Sequence, residues 1–175
     1  IVPDKDVVKV GSVVGVIKEA MLIYKPRGIE TTKTAPENTD IHDKFKGLEH
    51  LSPIGRLDKD SEGLIIMTND GTLTRALTKE NSTVEKEYLV LVREAISPES
   101  VARLSSGIML DKVMTKPATV KKISRSSFTI VLTEGRKHQI RRMCDACHMT
   151  IESLTRIRIG HLKLGSMKPG FVKRI

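Results

Sequence analysis

The chain has 175 residues, and 30 Lys and Arg against 21 Asp and Glu give it a formal net charge of +9. That length suits one domain, or one domain with a small appendage, and can bury a substantial core. It carries no long apolar span and no strongly amphipathic basic helix with aromatic anchors, and three Phe, two Tyr and no Trp argue against an extended stacking platform for single strands.

The excess charge has a plain reading, a solvated cationic surface, and a sharper one, a polyanion such as nucleic acid met through its backbone phosphates. Residues 1–18, IVPDKDVVKVGSVVGVIK, are charged and Val-rich and read as a strand or a linker tail. The chain begins at Ile1 rather than Met, so a preceding portion is expected. With no signal peptide in view, and two cysteines only three apart forming no disulfide framework, the cytoplasm is the expected compartment.

AMLIYKP (20–26) reads as a short buried strand ended by Pro26 and a turn at Arg27-Gly28. Residues 30–50 are rich in Thr, Glu, Asp and His without periodicity, which predicts a loop with at most one short helix. The strand LIIM (64–67) runs into Asn69, the expected N-cap of a helix over 70–79 with Leu73, Ala76 and Leu77 on one face. EKEYLVLVRE (85–94) is a strand whose apolar run, 88 to 92, suggests burial on both faces. SPESVARL (97–104) starts a helix with Ser97 as N-cap and Pro98 in the first turn. Two strands, near 116–124 and 127–133, flank the polar turn SRSS, and 136–148 reads as a helix. In TRIRI (155–159) alternation puts Ile157 and Ile159 inward and Arg156 and Arg158 outward. Strands outnumber helices and follow one another in pairs, which predicts an α+β domain on a mostly antiparallel or mixed sheet flanked by helices.

Two motifs invite a metal. In IGRLDKDSEGLIIMTNDG (54–71), counting from Asp58 places Asp60, Glu62 and Gly63 where an EF-hand loop needs them. Asn69 falls where the bidentate Glu belongs, and a β-branched strand stands where the second helix should be, so calcium is set aside. Cys144-x-x-Cys147-His148 matches a haem attachment pattern. Yet Ile140, Met143, Cys144 and Cys147 form an apolar stripe at helical spacing, and no second Cys/His pair completes a zinc site. Both cysteines are therefore expected in the core. The same helix crowds Arg136, Lys137, His138, Arg141 and Arg142 into its first two turns, the end at which the macrodipole disfavours cations. A bound polyanion or an acidic partner would offset that cost.

Three segments, GRLDKDSEGLIIMTNDG, EKEYLV and TEGRKHQIRRMC, resemble in order and spacing the RNA pseudouridine synthases. The resemblance is to the ribosomal RNA branch typified by RsuA, RluB, RluE and RluF, and it leans towards RluF-like enzymes of the large subunit. LIYKPRGIETT (22–32) is similar to that branch's Lys-Pro-x-Gly segment, and LTRIRIGHLKLGSMKPG (154–170) to its closing strands. The resemblance implies the pseudouridine synthase catalytic fold with a central cleft over residues 19–175. Residues 1–18 would be a linker or the remnant of an N-terminal S4 RNA-binding domain. It implies isomerisation of a uridine to pseudouridine in ribosomal RNA, 23S by the finer match, without cofactor or metal; separately, a monomer is expected.

Carried over by position, the resemblance makes Asp58 the catalytic aspartate, Tyr88 the ring against the uracil, and Arg141 the cation paired with the aspartate. Ile140 becomes the apolar contact under the base, and Arg56 a substrate-binding arginine near the vacated base position. Asp60 and Glu62 are read as structural or solvent-facing, because further ionised carboxylates in the pocket would oppose ionisation of Asp58. The competing reading is a non-catalytic RNA-binding or ribosome-assembly module on the same fold.

Overall fold

A computed structural model describes residues 7–10, 13–32 and 40–175. The Val-rich start folds as a ribbon, β1 (Val7–Val10) antiparallel to β2 (Val13–Val16). β3 (Ala20–Lys25) follows, then α1 (Ile41–Lys44), the short helix expected within 30–50; residues 33–39 of that loop lie outside the described residues. The chain continues through β4 (Ser52–Pro53), β5 (Glu62–Thr68), α2 (Gly71–Thr78), β6 (Lys86–Val92) and α3 (Pro98–Ser106). A small hairpin, β7 (Met109–Leu110) and β8 (Val113–Met114), precedes β9 (Thr119–Ser124) and β10 (Ser127–Leu132). The last elements are α4 (Gln139–Ala146), β11 (Ile151–Ile159), β12 (Leu162–Lys163) and β13 (Val172–Arg174).

Nine of these strands share one sheet in the order β13-β3-β5-β11-β6-β10-β9, with β12 beside β11 and β4 beside β5. The expected α+β class with a mixed sheet holds. Its two halves meet where β5 and β11 run parallel, through Thr155 opposite Glu62 and Arg156 opposite Gly63. Each half has its own core. Val90, Val92, Phe128, Ile130 and Leu154 pack with Leu104 of α3 and with Ile140, Met143 and Cys144 of α4. Ile23, Ile65 and Met67 pack with Ile41, Phe45, Leu51 and Leu57, and the reverse face of β3 and β5 lies under Leu73 and Leu77 of α2. Tyr88 borders both of the first two cores, at the seam.

Several sequence expectations change. The N-cap of α2 is Asp70, whose carboxylate accepts from Thr72 N; the Asn69 side chain instead ties the segment before β3, accepting from Glu19 N at 2.8 Å and donating to Ile17 O at 2.9 Å. Ala76 faces solvent while Leu73 and Leu77 turn inward. β6 is buried on one side only: α3 and α4 cover Val90 and Val92, and Leu91 remains 38% exposed. In β11 a bulge at Ile157 breaks the strict alternation, since Arg156 pairs with Tyr88 but Arg158 with Glu87. Arg156 therefore points inward with Leu154 and is only 4% exposed, while Arg158 pairs with Glu87 and Glu85. The Ser97 cap, with Pro98 opening α3, is as expected.

Gly63 makes the seam possible. Its φ is +115°, and a Cβ built there would stand 2.3 Å from the Arg156 carbonyl oxygen. Both the left-handed backbone and the close approach exclude a side chain. Gly63→Ala is expected to lower the unfolding free energy by about 2 kcal/mol or more, from strained backbone plus overpacking. Gly71→Ala, with open space around it at the start of α2, is expected to be neutral or stabilising. Denaturant titration of both variants checks this; equal effects would remove the seam argument.

Candidate active site

The loop before β5 is fixed from three sides. Leu57 is buried in the core, and the Thr31 hydroxyl clips its backbone at both ends, donating to Leu57 O at 2.8 Å and accepting from Leu57 N at 3.3 Å. Beyond Asp58 the chain turns, Ser61 N donating to Asp58 O at 3.0 Å, while Gly28 N donates to Lys59 O at 2.7 Å. Beneath both loops lies Lys25, fully buried at the end of β3. Its ammonium donates to Ile29 O at 2.6 Å, Pro26 O at 3.0 Å and Lys59 O at 3.4 Å. Burial lowers its pKa from 10.5 to about 8, against the opposing pull of the Asp58, Glu62 and Asp60 carboxylates. The Asp58 side chain is left upright and 38% exposed.

The opposite wall comes from the turn into α4. Gln139, 4% exposed, closes this turn: its Oε1 accepts from Arg136 N at 2.9 Å and its Nε2 donates to Glu134 Oε1 at 2.8 Å. His138 stands at the N-cap in a left-handed conformation, φ 51°, without a side-chain cap bond. α4 is thus shorter than the helix expected over 136–148, and three of the five clustered cations precede it. Much of that cluster is spent on structure. The Arg136 guanidinium holds Leu110 O and Val113 O of the β7–β8 hairpin, and Arg142 pairs with Asp111. The cysteines are core residues as expected, both free, with burial pushing the Cys144 thiol up to about 12.

Between these walls opens a cleft of about 720 Å³. Asp58, Tyr88, Arg141, Arg56 and Ile140, from three separate stretches of chain, all line it. The partnerships differ from the expected ones. The ionic partner of Asp58 is His138, Nε2 to Oδ1 at 3.3 Å, not Arg141. Arg141 instead donates from Nη2 to Ser61 Oγ at 3.1 Å, so it braces the turn that carries Asp58. The carboxylate is also wetter than a sealed pocket would leave it. Of the neighbouring carboxylates, Asp60 is exposed and Glu62 accepts the Tyr24 hydroxyl at 2.7 Å, a contact that with burial raises the tyrosine pKa. Among the described residues no cluster of three or more His, Cys, Asp or Glu could hold a metal ion, and no helix is long and apolar enough to cross a membrane.

Thr31, Ser61 and Lys25 were not singled out in the sequence. Only Lys25 left a signal, a lysine closing an otherwise apolar strand directly before proline. His138 stood in the basic cluster, but its pairing with Asp58 depends on a left-handed turn that residue types do not announce.

A family model described as RNA pseudouridylate synthase matches residues 19–146, and the chain belongs to this family. It is 37% identical over 170 residues to the dual-specificity RNA pseudouridine synthase RluF of Escherichia coli (strain K12), covering 94% of this chain and 59% of that protein. It is 32% identical to an uncharacterized RNA pseudouridine synthase of Mycobacterium leprae (strain TN), covering 99% of this chain and 72% of that one. A crystal structure of a pseudouridylate synthase superposes with a TM-score of 0.84 at 26% identity, covering 93% of this chain and 76% of that chain. The chain thus spans somewhat under two thirds of RluF.

Lys25 supplies a pH signature. Its folded pKa of about 8 lies below the ordinary 10.5, so the unfolded chain binds more protons between those values. The contribution of this position to stability therefore rises with pH across that window. The difference in unfolding free energy between the wild type and Lys25→Met is expected to shift towards the wild type from about pH 8 to 10.5. A difference flat in pH would mean the ammonium is solvated.

Proposed function

We propose that this chain converts a uridine of ribosomal RNA, in the large subunit, to pseudouridine without a cofactor. Residues 19–175 would be the catalytic domain, working as a monomer, and residues 1–18 a linker or the remnant of an S4 domain. The observation that carries the reading is the convergence of Asp58, Tyr88, Ile140 and Arg141 on one cleft in a basic chain.

The reaction breaks the N1–C1′ bond, turns the uracil, and rejoins it through C5, with a proton leaving C5 and one returned to N1. Atoms and oxidation level are conserved, so no external reagent is consumed. Asp58 serves this chemistry as a nucleophile at C1′ or as a base towards C2′, and both roles need an ionised carboxylate. His138 Nε2 stands 3.3 Å from Asp58 Oδ1, and the Arg141 guanidinium braces the turn that carries it through Ser61. Tyr88 presents a ring face to hold the detached base, with Ile140 opposite and Arg56 at the rim where the nucleotide enters. The uridine must leave its stack to reach the cleft, which costs a few kcal/mol. Contacts to backbone phosphates would offset that cost.

Asp58→Asn is expected to cut pseudouridine formation on ribosomal RNA transcripts by more than about a thousandfold, with RNA affinity kept within a few-fold. Turnover by that variant at the normal rate would end the proposal, and a wild type that binds RNA without modifying it would favour the non-catalytic module. Arg141→Ala is expected to slow single-turnover conversion by about a hundredfold, because the turn under Asp58 loses its brace. A loss below about tenfold would make Arg141 peripheral.

A further inference from the structure

Behind Tyr88 a second chamber of about 590 Å³ adjoins the cleft; Tyr88, Arg56, Glu134, Gly135 and Arg136 line both. Its inner surface is apolar, with Ile54, Ile66, Leu77, Val84 and Ile159, but its charges are unusual. Arg156, 4% exposed, lines it and donates from Nε to Leu64 O at 2.8 Å. Among the described residues its two terminal nitrogens meet no acceptor, and no carboxylate lies within ion-pair distance. Half-buried Lys86 lies on the same wall, also without an ionic partner among the described residues, and its pKa is lowered by burial and by the Arg156 charge. Lys79 and Lys116 stand at the rim.

Two neighbouring cations out of bulk water without a counter-charge are costly, and a native fold normally pairs or neutralises them. Among the described residues none of the nearby carboxylates forms an ion pair with either cation. Glu134 Oε1 accepts from Lys116 N and Gln139 Nε2, Glu87 and Glu85 are taken by Arg158, and Glu80 is exposed. A guanidinium with one edge tied to a carbonyl and the other free suits two oxygens of a phosphate, and an ammonium beside it adds a point charge.

We propose that the chamber behind Tyr88 is an anion subsite in which Arg156 and Lys86 grip a backbone phosphate of the RNA next to the everted uridine. The subsite deepens the functional reading above and rests on it. Tyr88 lines both spaces and Asp58 only the first, so the subsite is an anchor for the strand entering or leaving the cleft. A phosphate held there would resist the restacking of the extruded nucleotide.

The test uses an RNA stem-loop carrying the modified site and the full chain. Binding is measured as a function of salt in an Asp58→Asn background, so that turnover plays no part, and wild-type conversion is measured alongside. Lys86→Gln is expected to weaken RNA binding about tenfold at low salt and to reduce the slope of log affinity against log salt by about 1. Arg156→Lys, which keeps the charge and loses the fork, is expected to weaken binding by a similar factor with the salt slope retained. Because a buried arginine can be needed for folding, Lys86→Gln decides if Arg156→Lys unfolds. An unchanged affinity and slope for Lys86→Gln, in a protein that still converts uridine, overturns the subsite and leaves the functional reading intact. Calorimetry with inorganic phosphate separates the sources. Lys86-dependent binding of free phosphate, with RNA binding insensitive to Lys86, would assign the chamber to a small anion and contradict the proposal.

Discussion

The close approach of Gly63 of β5 to Arg156 of β11, which leaves no room for a side chain, is the constraint on which the site depends. The two half-sheets have largely separate cores, and the parallel seam joins them together with Ile159 of β11, which packs against Leu64 and Ile66 of β5. One row of residues crosses it: Tyr88 on β6 faces Arg156 on β11, which faces Gly63 on β5. The Asp58 turn leads directly into β5, so the pairing that seats Gly63 also sets the carboxylate in the cleft that Tyr88 lines. α4, packed into the second core by Ile140, Met143 and Cys144, brings Arg141 and His138 to the same place. The geometry of the cleft is a consequence of sheet register.

Charge is sorted with similar economy. A net charge of +9 suggests a uniformly cationic binding face, yet many of the cations have internal tasks. Lys25 ties three carbonyls under the loops of the candidate site, Arg136 and Arg142 hold the β7–β8 hairpin, and Arg158 is paired with both Glu85 and Glu87. What remains near the cleft is a short series: His138 on Asp58, Arg141 on Ser61, Arg56 at the rim, and Arg156 with Lys86 behind Tyr88. The first two hold the carboxylate and its turn, and among the described residues the last two have no ionic partner. This division separates groups that hold the aspartate and its turn from groups without an ionic partner.

The sequence made the sheet-rich architecture and the lining of the cleft legible, because apolar runs, capping residues and ordered motifs are local signals. Ser97 with Pro98 announced α3, and the stripe through Cys144 and Cys147 announced the buried face of α4. What failed was set by long-range geometry. Arg156 was expected outward because alternation counted from Ile157 ignores the bulge at that residue. The partner of Asp58 was expected to be Arg141, since motif order carries no information about the left-handed turn that brings His138 nearer. Asn69 and Asp70 are both good caps, and only the docking of the segment at Ile17 and Glu19 decides between them.

The structure of this chain bound to a ribosomal RNA stem-loop, with Asp58→Asn to halt turnover, tests the central claim most directly. The account places one everted uridine in the cleft with its ring on Tyr88 and its C1′ within about 4 Å of the residue 58 side chain, close to reacting distance. An RNA bound along another face, with every base stacked and nothing between Tyr88 and residue 58, would contradict it.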